Sequence, residues 1–146
     1  ELPALRVVCY GLGSIFASRN AQGQFALALL MAKGSLEVYD PVLQRDELEY
    51  LEEWGCRQAQ PPETRVKEPT LFFMPHCPQE VYVAVLKAND LNDVVILGNS
   101  FESYARRLDV DPVIAAMTPS EMSCDPGPSD PDLERAFNDT SLLRFR

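Results

Sequence analysis

The chain has 146 residues, of which 46% are hydrophobic and 24% charged, and its net charge is −9. That length supports a single domain, residues 1–146, with a core of useful size. The acidic balance excludes binding to bulk nucleic acid and adhesion to an anionic membrane, because neither meets a broad basic surface here.

No apolar run reaches membrane-spanning length; the longest candidate, 25–32, falls short. The sequence begins at Glu1 with no signal peptide, which reads as an excised piece of a longer protein. Cys9, Cys56, Cys77 and Cys124 have no C-x-x-C spacing, so a zinc finger is disfavoured. Two disulfides in a secreted protein remain an alternative to free thiols. Cys9 lies in an apolar strand, where a buried thiol is common, and a reducing cytoplasmic or nuclear location is expected.

Taken in order, 5–10 is an apolar, β-branched strand ending in Gly11-Leu12-Gly13-Ser14. A helix follows at once over 15–33, capped by Ser14 or Ser18 and stopped by Gly34. Two glycines before a helix let a ligand approach the main chain, and free N–H groups there suit a phosphate or carboxylate. The third glycine of a dinucleotide fingerprint is missing, since Phe16 takes its place. A tight turn without ligand is the other reading.

Leu36 to Tyr39 is a second strand, closed by Asp40-Pro41, which makes a right-handed strand–helix–strand unit. An acidic side chain at Asp40 is placed to accept ribose hydroxyls, or else simply opens an Asp-Pro turn. A helix over 44–54 puts Glu47, Glu49, Glu52 and Glu53 on a wet face, and 56–60 is a short strand. Thr70 to Phe73 is a strongly apolar strand that runs into Met74-Pro75-His76-Cys77-Pro78. Pro78 then opens a helix to Ala88. Residues 93–97 form the next buried strand, followed by Gly98-Asn99-Ser100 and a short helix over 101–107. Beyond these, 113–117 reads as a strand, 123–131 as a flexible loop, 132–137 as a helix and 142–145 as a last strand.

The fold class expected is a single-domain, Rossmann-like three-layer α/β sandwich with a mostly parallel sheet. In such a sheet the stretches Gly11–Ser14, Asp40-Pro41, 75–78 and 98–100 share the carboxyl edge, where ligand crevices form. His76 is the only histidine, and Cys77 at a helix start is expected to favour the thiolate. The pair is open to nucleophilic catalysis, metal ligation or a haem thiolate with His76 or another group as axial partner. A buried thiol and a helix-capping turn is the alternative.

The stretches Val8-Cys9-Tyr10-Gly11-Leu12-Gly13-Ser14, Tyr39-Asp40-Pro41, Thr70 to Pro78 and Leu97-Gly98-Asn99-Ser100-Phe101, in this order, resemble the SRR1 domain family. The resemblance runs over nearly the whole chain. It implies a regulatory protein rather than an established enzyme, associated with circadian regulation, plant light signalling and control of haem biosynthesis. It also implies haem as the cofactor, on the His76-Cys77-Pro78 element. The alternative ligand is a nucleotide or S-adenosylmethionine-type molecule held by Gly11, Gly13, Ser14 and Asp40, with Asn99 and Ser100 as polar contacts. A third reading is a ligand-free interaction domain whose protein partners meet the acidic helix.

Overall fold

Apolar side chains point alternately to two faces along the central strands, and this alternation builds two cores. A computed structural model describes residues 5–33, 35–124, 126 and 130–145. Val7 and Cys9 of β1 (Arg6–Tyr10) enter one core, while Val8 and Tyr10 enter the other. β4 (Thr70–Met74) does the same, with Leu71 and Phe73 opposite Phe72 and Met74. A strand buried on both faces reads as a continuous apolar run, which is why these segments are legible.

The first core lies under α1 (Arg19–Ala32) and α2 (Arg45–Glu53), which follow β1 and β2 (Leu36–Tyr39). The second lies under α3 (Gln79–Ala88), α4 (Phe101–Ala105) and α5 (Pro112–Ala115). The remaining elements are β3 (Arg57–Gln58), a short 3-10 turn (Leu91–Asp93), β5 (Val94–Asn99), β6 (Ser120–Ser123), α6 (Pro131–Phe137) and β7 (Thr140–Arg144). The strand order is β3-β2-β1-β4-β5-β7-β6. β1 to β5 are parallel, and β7 runs antiparallel between β5 and β6. This is the expected three-layer, mostly parallel α/β fold.

The order 3-2-1-4-5 is that of doubly wound nucleotide-binding sheets. The chain reverses direction across the sheet between β1 and β4, and the crevice of such folds opens at that switch point. Three of the polar stretches follow parallel strands, and Gly98-Asn99 form the end of β5 with Ser100 after it, so all four share the carboxyl edge.

Several local expectations are corrected. The helix after the glycines starts at Arg19, not Ile15, because Ser18 is its N-cap and accepts from the Ala21 N–H at 3.3 Å. Pro78 is the N-cap of α3 rather than its first residue. Residues 113–117 are not a strand: Asp111 caps α5, accepting from the Val113 N–H at 2.8 Å, and Pro112 opens it. The β-branched Val113-Ile114 pair suggested a strand, and the Asp-Pro helix start outweighs it. The described part of 123–131 begins as the end of β6. Its next residue, Cys124, donates its N–H to the Thr140 carbonyl at 2.8 Å. The helix stop expected at Gly34 and the centre of the expected loop, 125 and 127–129, lie outside the described residues.

Candidate functional site

At the end of β1 the chain turns at Gly11 (φ +69°) and Gly13 (φ +75°), both in the left-handed region. The Gly13 N–H donates to Asp40 Oδ2 at 2.8 Å, and Asp40 Oδ1 accepts from the Val42 N–H at 2.9 Å. Asp40 therefore clamps the end of β2 to the glycine turn of β1.

A second carboxylate holds the same loop. Glu47, on α2, is 2% exposed. It accepts from the Ser14 hydroxyl at 2.6 Å, the Phe16 N–H at 3.2 Å and the Gln44 N–H at 3.1 Å. The last bond completes a capping box with Gln44. The expectation that Glu47 lies on a wet face is thus corrected; Glu49, Glu52 and Glu53 are exposed. Burial pushes the Glu47 carboxyl up, but the bonds from Ser14 and from the backbone N–H groups of Gln44, Phe16 and Ile15 outweigh it. Its pKa sits below the ordinary value of 4.5.

A carboxyl whose pKa is depressed on folding stabilises the fold above its unfolded value. That contribution is lost as pH falls through the folded value. Glu47→Gln is expected to flatten the acid limb below pH 4.5 in thermal melts at stepped pH, and an unchanged limb would contradict this role.

These two carboxylates alter the chemistry expected of the turn. Two N–H groups of the turn, those of Gly13 and Phe16, already bond to Asp40 and Glu47, and the α1 start is capped by Ser18. A pyrophosphate here would meet two negative charges. A neutral or cationic group with hydroxyls to donate would meet less repulsion there. An ionised carboxylate has about four lone-pair sites, so Asp40 keeps acceptor capacity beyond its two backbone bonds.

Across the switch point, the β4 loop places Cys77 against Gly11. The thiol is 3% exposed and donates to the Tyr10 carbonyl at 3.2 Å. A Cβ on Gly11 would lie 2.5 Å from Cys77 Sγ. Burial, reinforced by the Asp40 charge, pushes the thiol pKa up to about 12. The expected thiolate at a helix start is corrected: desolvation outweighs the dipole of α3. Cys77 does not fit a haem thiolate, because its sulfur is packed into the glycine turn.

His76 is different. It is exposed, with φ +55°, and its Nε2 lies 3.1 Å from the Ala136 carbonyl. The His76 backbone N–H donates to Asn99 Oδ1 at 3.0 Å, and Asn99 Nδ2 donates to the Cys77 carbonyl and the Tyr104 hydroxyl at 3.1 and 2.8 Å. Beside it opens a cavity of about 450 Å³, lined by His76, Cys77, Asn99, Tyr104, Arg107 and Asp109 among others.

Tyr82 locks the floor of this loop. Its hydroxyl donates to the Met74 carbonyl at 2.6 Å and accepts from the Asn99 N–H at 2.8 Å. Gly98 admits it, since a Cβ there would lie 2.5 Å from the hydroxyl. Sequence reasoning missed both Glu47 and Tyr82. Glu47 had a signal: it lies four residues before Leu51 on the buried side of α2, and four after Leu43, which is buried just ahead of the helix cap.

The structure thus joins Gly11 to Cys77, Gly13 to Asp40, and His76 to Asn99. Ser100 stands apart. It caps α4 by accepting from the Ser103 N–H at 3.0 Å, and it lines a separate polar cavity with Glu102, Arg106 and Asp139. Among the described residues, no three His, Cys, Asp or Glu side chains cluster as a metal site would require. Cys9, Cys56 and Cys77 are buried free thiols and Cys124 is an exposed one. No helix among the described residues is long and apolar enough to cross a membrane.

A family model described as the SRR1 domain matches residues 2–144. The chain belongs to the SRR1 domain family. It is 36% identical over 127 residues to Protein SENSITIVITY TO RED LIGHT REDUCED 1 of Arabidopsis thaliana, covering 78% of this chain and 46% of that protein. Against the SRR1-like protein of Mus musculus it is 32% identical over 118 residues, covering 71% and 47%. Against the SRR1-like protein of Drosophila melanogaster it is 28% identical over 165 residues, covering 98% and 56%. The SRR1 domain described here therefore spans about half the length of the curated relatives it matches. No solved structure matches the chain.

Proposed function

We propose that this SRR1 domain is the ligand-reading part of a regulatory protein. In this reading it takes a nucleoside or S-adenosylmethionine-type ligand over the β1/β4 switch point. The observation that carries the reading is the bond from the Gly13 N–H to Asp40 at that point. An acid at the end of β2 suits a ribose diol, while Asp40 and Glu47 together oppose a phosphate chain. A sulfonium cation is attracted by the same charges. The name of the Arabidopsis relative supports a regulatory setting, including one linked to red light.

The test is thermal unfolding with adenosine, S-adenosylmethionine, NAD and ATP, wild type beside Asp40→Asn. A ligand at 100 times its Kd adds about 2.7 kcal/mol to stability. For a chain of this size that raises Tm by roughly 5–10 °C. Adenosine or S-adenosylmethionine is expected to give this shift, ATP a smaller one, and Asp40→Asn none. No shift with any of them, or a full shift in Asp40→Asn, overturns the reading.

Haem is the second reading, favoured by the exposed His76 ring beside the 450 Å³ cavity. In this reading His76 alone would hold the iron, through the ring nitrogen that the Ala136 carbonyl does not engage. Ferric haem titration is expected to give a saturable Soret band that His76→Ala removes and Cys77→Ala leaves. The opposite pattern would contradict this ligation.

A further inference from the structure

α1 is apolar on more than its core side. Leu30 points outward and is 76% exposed, in a helix whose Ala21, Phe25, Ala28 and Ala32 already fill the core. A helix apolar beyond one face expects cover on the second. α2 continues the patch: Tyr50 and Trp54, one turn apart, are 37% and 55% exposed. Phe16, at 54%, closes the end. The rings form one chain of contacts, with centroids 5.5 Å apart for Phe16–Tyr50, 6.3 Å for Tyr50–Trp54 and 6.5 Å for Phe25–Trp54. Between α1 and α2 they line an open groove of about 920 Å³.

Two carboxylates flank the groove on its α2 side: Asp46 and Glu53, four residues before and three after Tyr50, share its helix face and are exposed. Neither makes an ion pair among the described residues. On the α1 side Arg19 is engaged by Asp132. A second copy of the chain would bring a second acidic rim and another −9 of charge, so self-association is opposed.

We propose that this groove docks one basic amphipathic helix of a partner protein. Apolar anchors at i, i+3/i+4 and i+7 enter between Leu30 and Trp54, and Lys or Arg side chains face the α2 carboxylates. A groove between two helices with an aromatic floor suits this helix-in-groove mode. The acidic rim selects the sign of the partner and raises its on-rate.

The probe is a synthetic helical peptide with Leu at those anchor positions, Lys at the others and no Trp. Trp54 is the only tryptophan, so its emission reports the groove directly. The expected result is a saturable, one-to-one blue shift that weakens with salt. Replacing the peptide's Lys with Glu should abolish it. Leu30→Ser and Glu53→Lys should each weaken it at least tenfold. These positions are exposed, so melting curves of the variants should match wild type. Equal binding of the Glu peptide, no binding of the Lys peptide, or unchanged binding by both variants overturns the proposal. So does a concentration-dependent dimer that Leu30→Ser dissolves, which would assign the groove to a second copy.

Discussion

Gly11→Ala lowers Tm by roughly 10 °C in thermal melts, at about 2–4 °C for each kcal/mol in a chain of this size. Two costs combine. Gly11 has φ +69°, where an L side chain costs about 1–2 kcal/mol. Its Cβ would also lie 2.5 Å from Cys77 Sγ, and overpacking of this kind costs about 1–3 kcal/mol. The two terms separate in a double-mutant cycle. Cys77→Ala removes the sulfur, so in that background Gly11→Ala should keep only its backbone cost. A strictly additive cycle would mean that the glycine turn and the His-Cys loop are not packed as one unit.

Tyr82→Ala costs about 3–5 kcal/mol, the usual range for emptying a buried aromatic site. Tyr82 is 0% exposed and packs edge-on against Phe101 and Tyr104 at 5.9 and 6.0 Å. Tyr82→Phe isolates the polar part. It keeps the ring but leaves the Met74 carbonyl and Asn99 N–H short of a partner, at about 1–3 kcal/mol for each buried group. Burial already holds the Tyr82 hydroxyl protonated, with its pKa well above 10, so the hydroxyl remains a donor across the working pH range. Urea unfolding of the three proteins checks both values. A Tyr82→Phe variant as stable as wild type would show that the hydroxyl does not tie β4 to β5.

The parts legible in the sequence are those set by local pattern. β1, β4 and β5 are apolar runs because both faces are covered, and this also made the parallel sheet and its carboxyl edge readable. The pairing of Asp40 with the glycine turn was readable as proximity, since a strand–helix–strand unit brings those two ends together. Its consequence was not, because the occupation of the Gly13 N–H depends on side-chain direction. Cys77 shows the same limit. A cysteine at a helix start suggests a thiolate, and only the long-range contact with Gly11 reveals that burial decides. β6 carries Ser-Glu-Met-Ser, with no alternating apolar side; it pairs with β7 through its backbone and leaves no hydrophobic signal. In α5, a β-branched pair pointed one way and the Asp111-Pro112 start the other, and the cap prevailed.

The central claim is that the β1/β4 switch point reads a nucleoside-type ligand. Backbone amide NMR during titration with S-adenosylmethionine tests it most directly. The account predicts saturable shifts centred on Gly11, Gly13, Ser14, Asp40 and His76, with little change around the α1–α2 groove. Shifts confined to the groove, or to the cavity beside Tyr104 and Arg107 with Gly13 and Asp40 untouched, would contradict it.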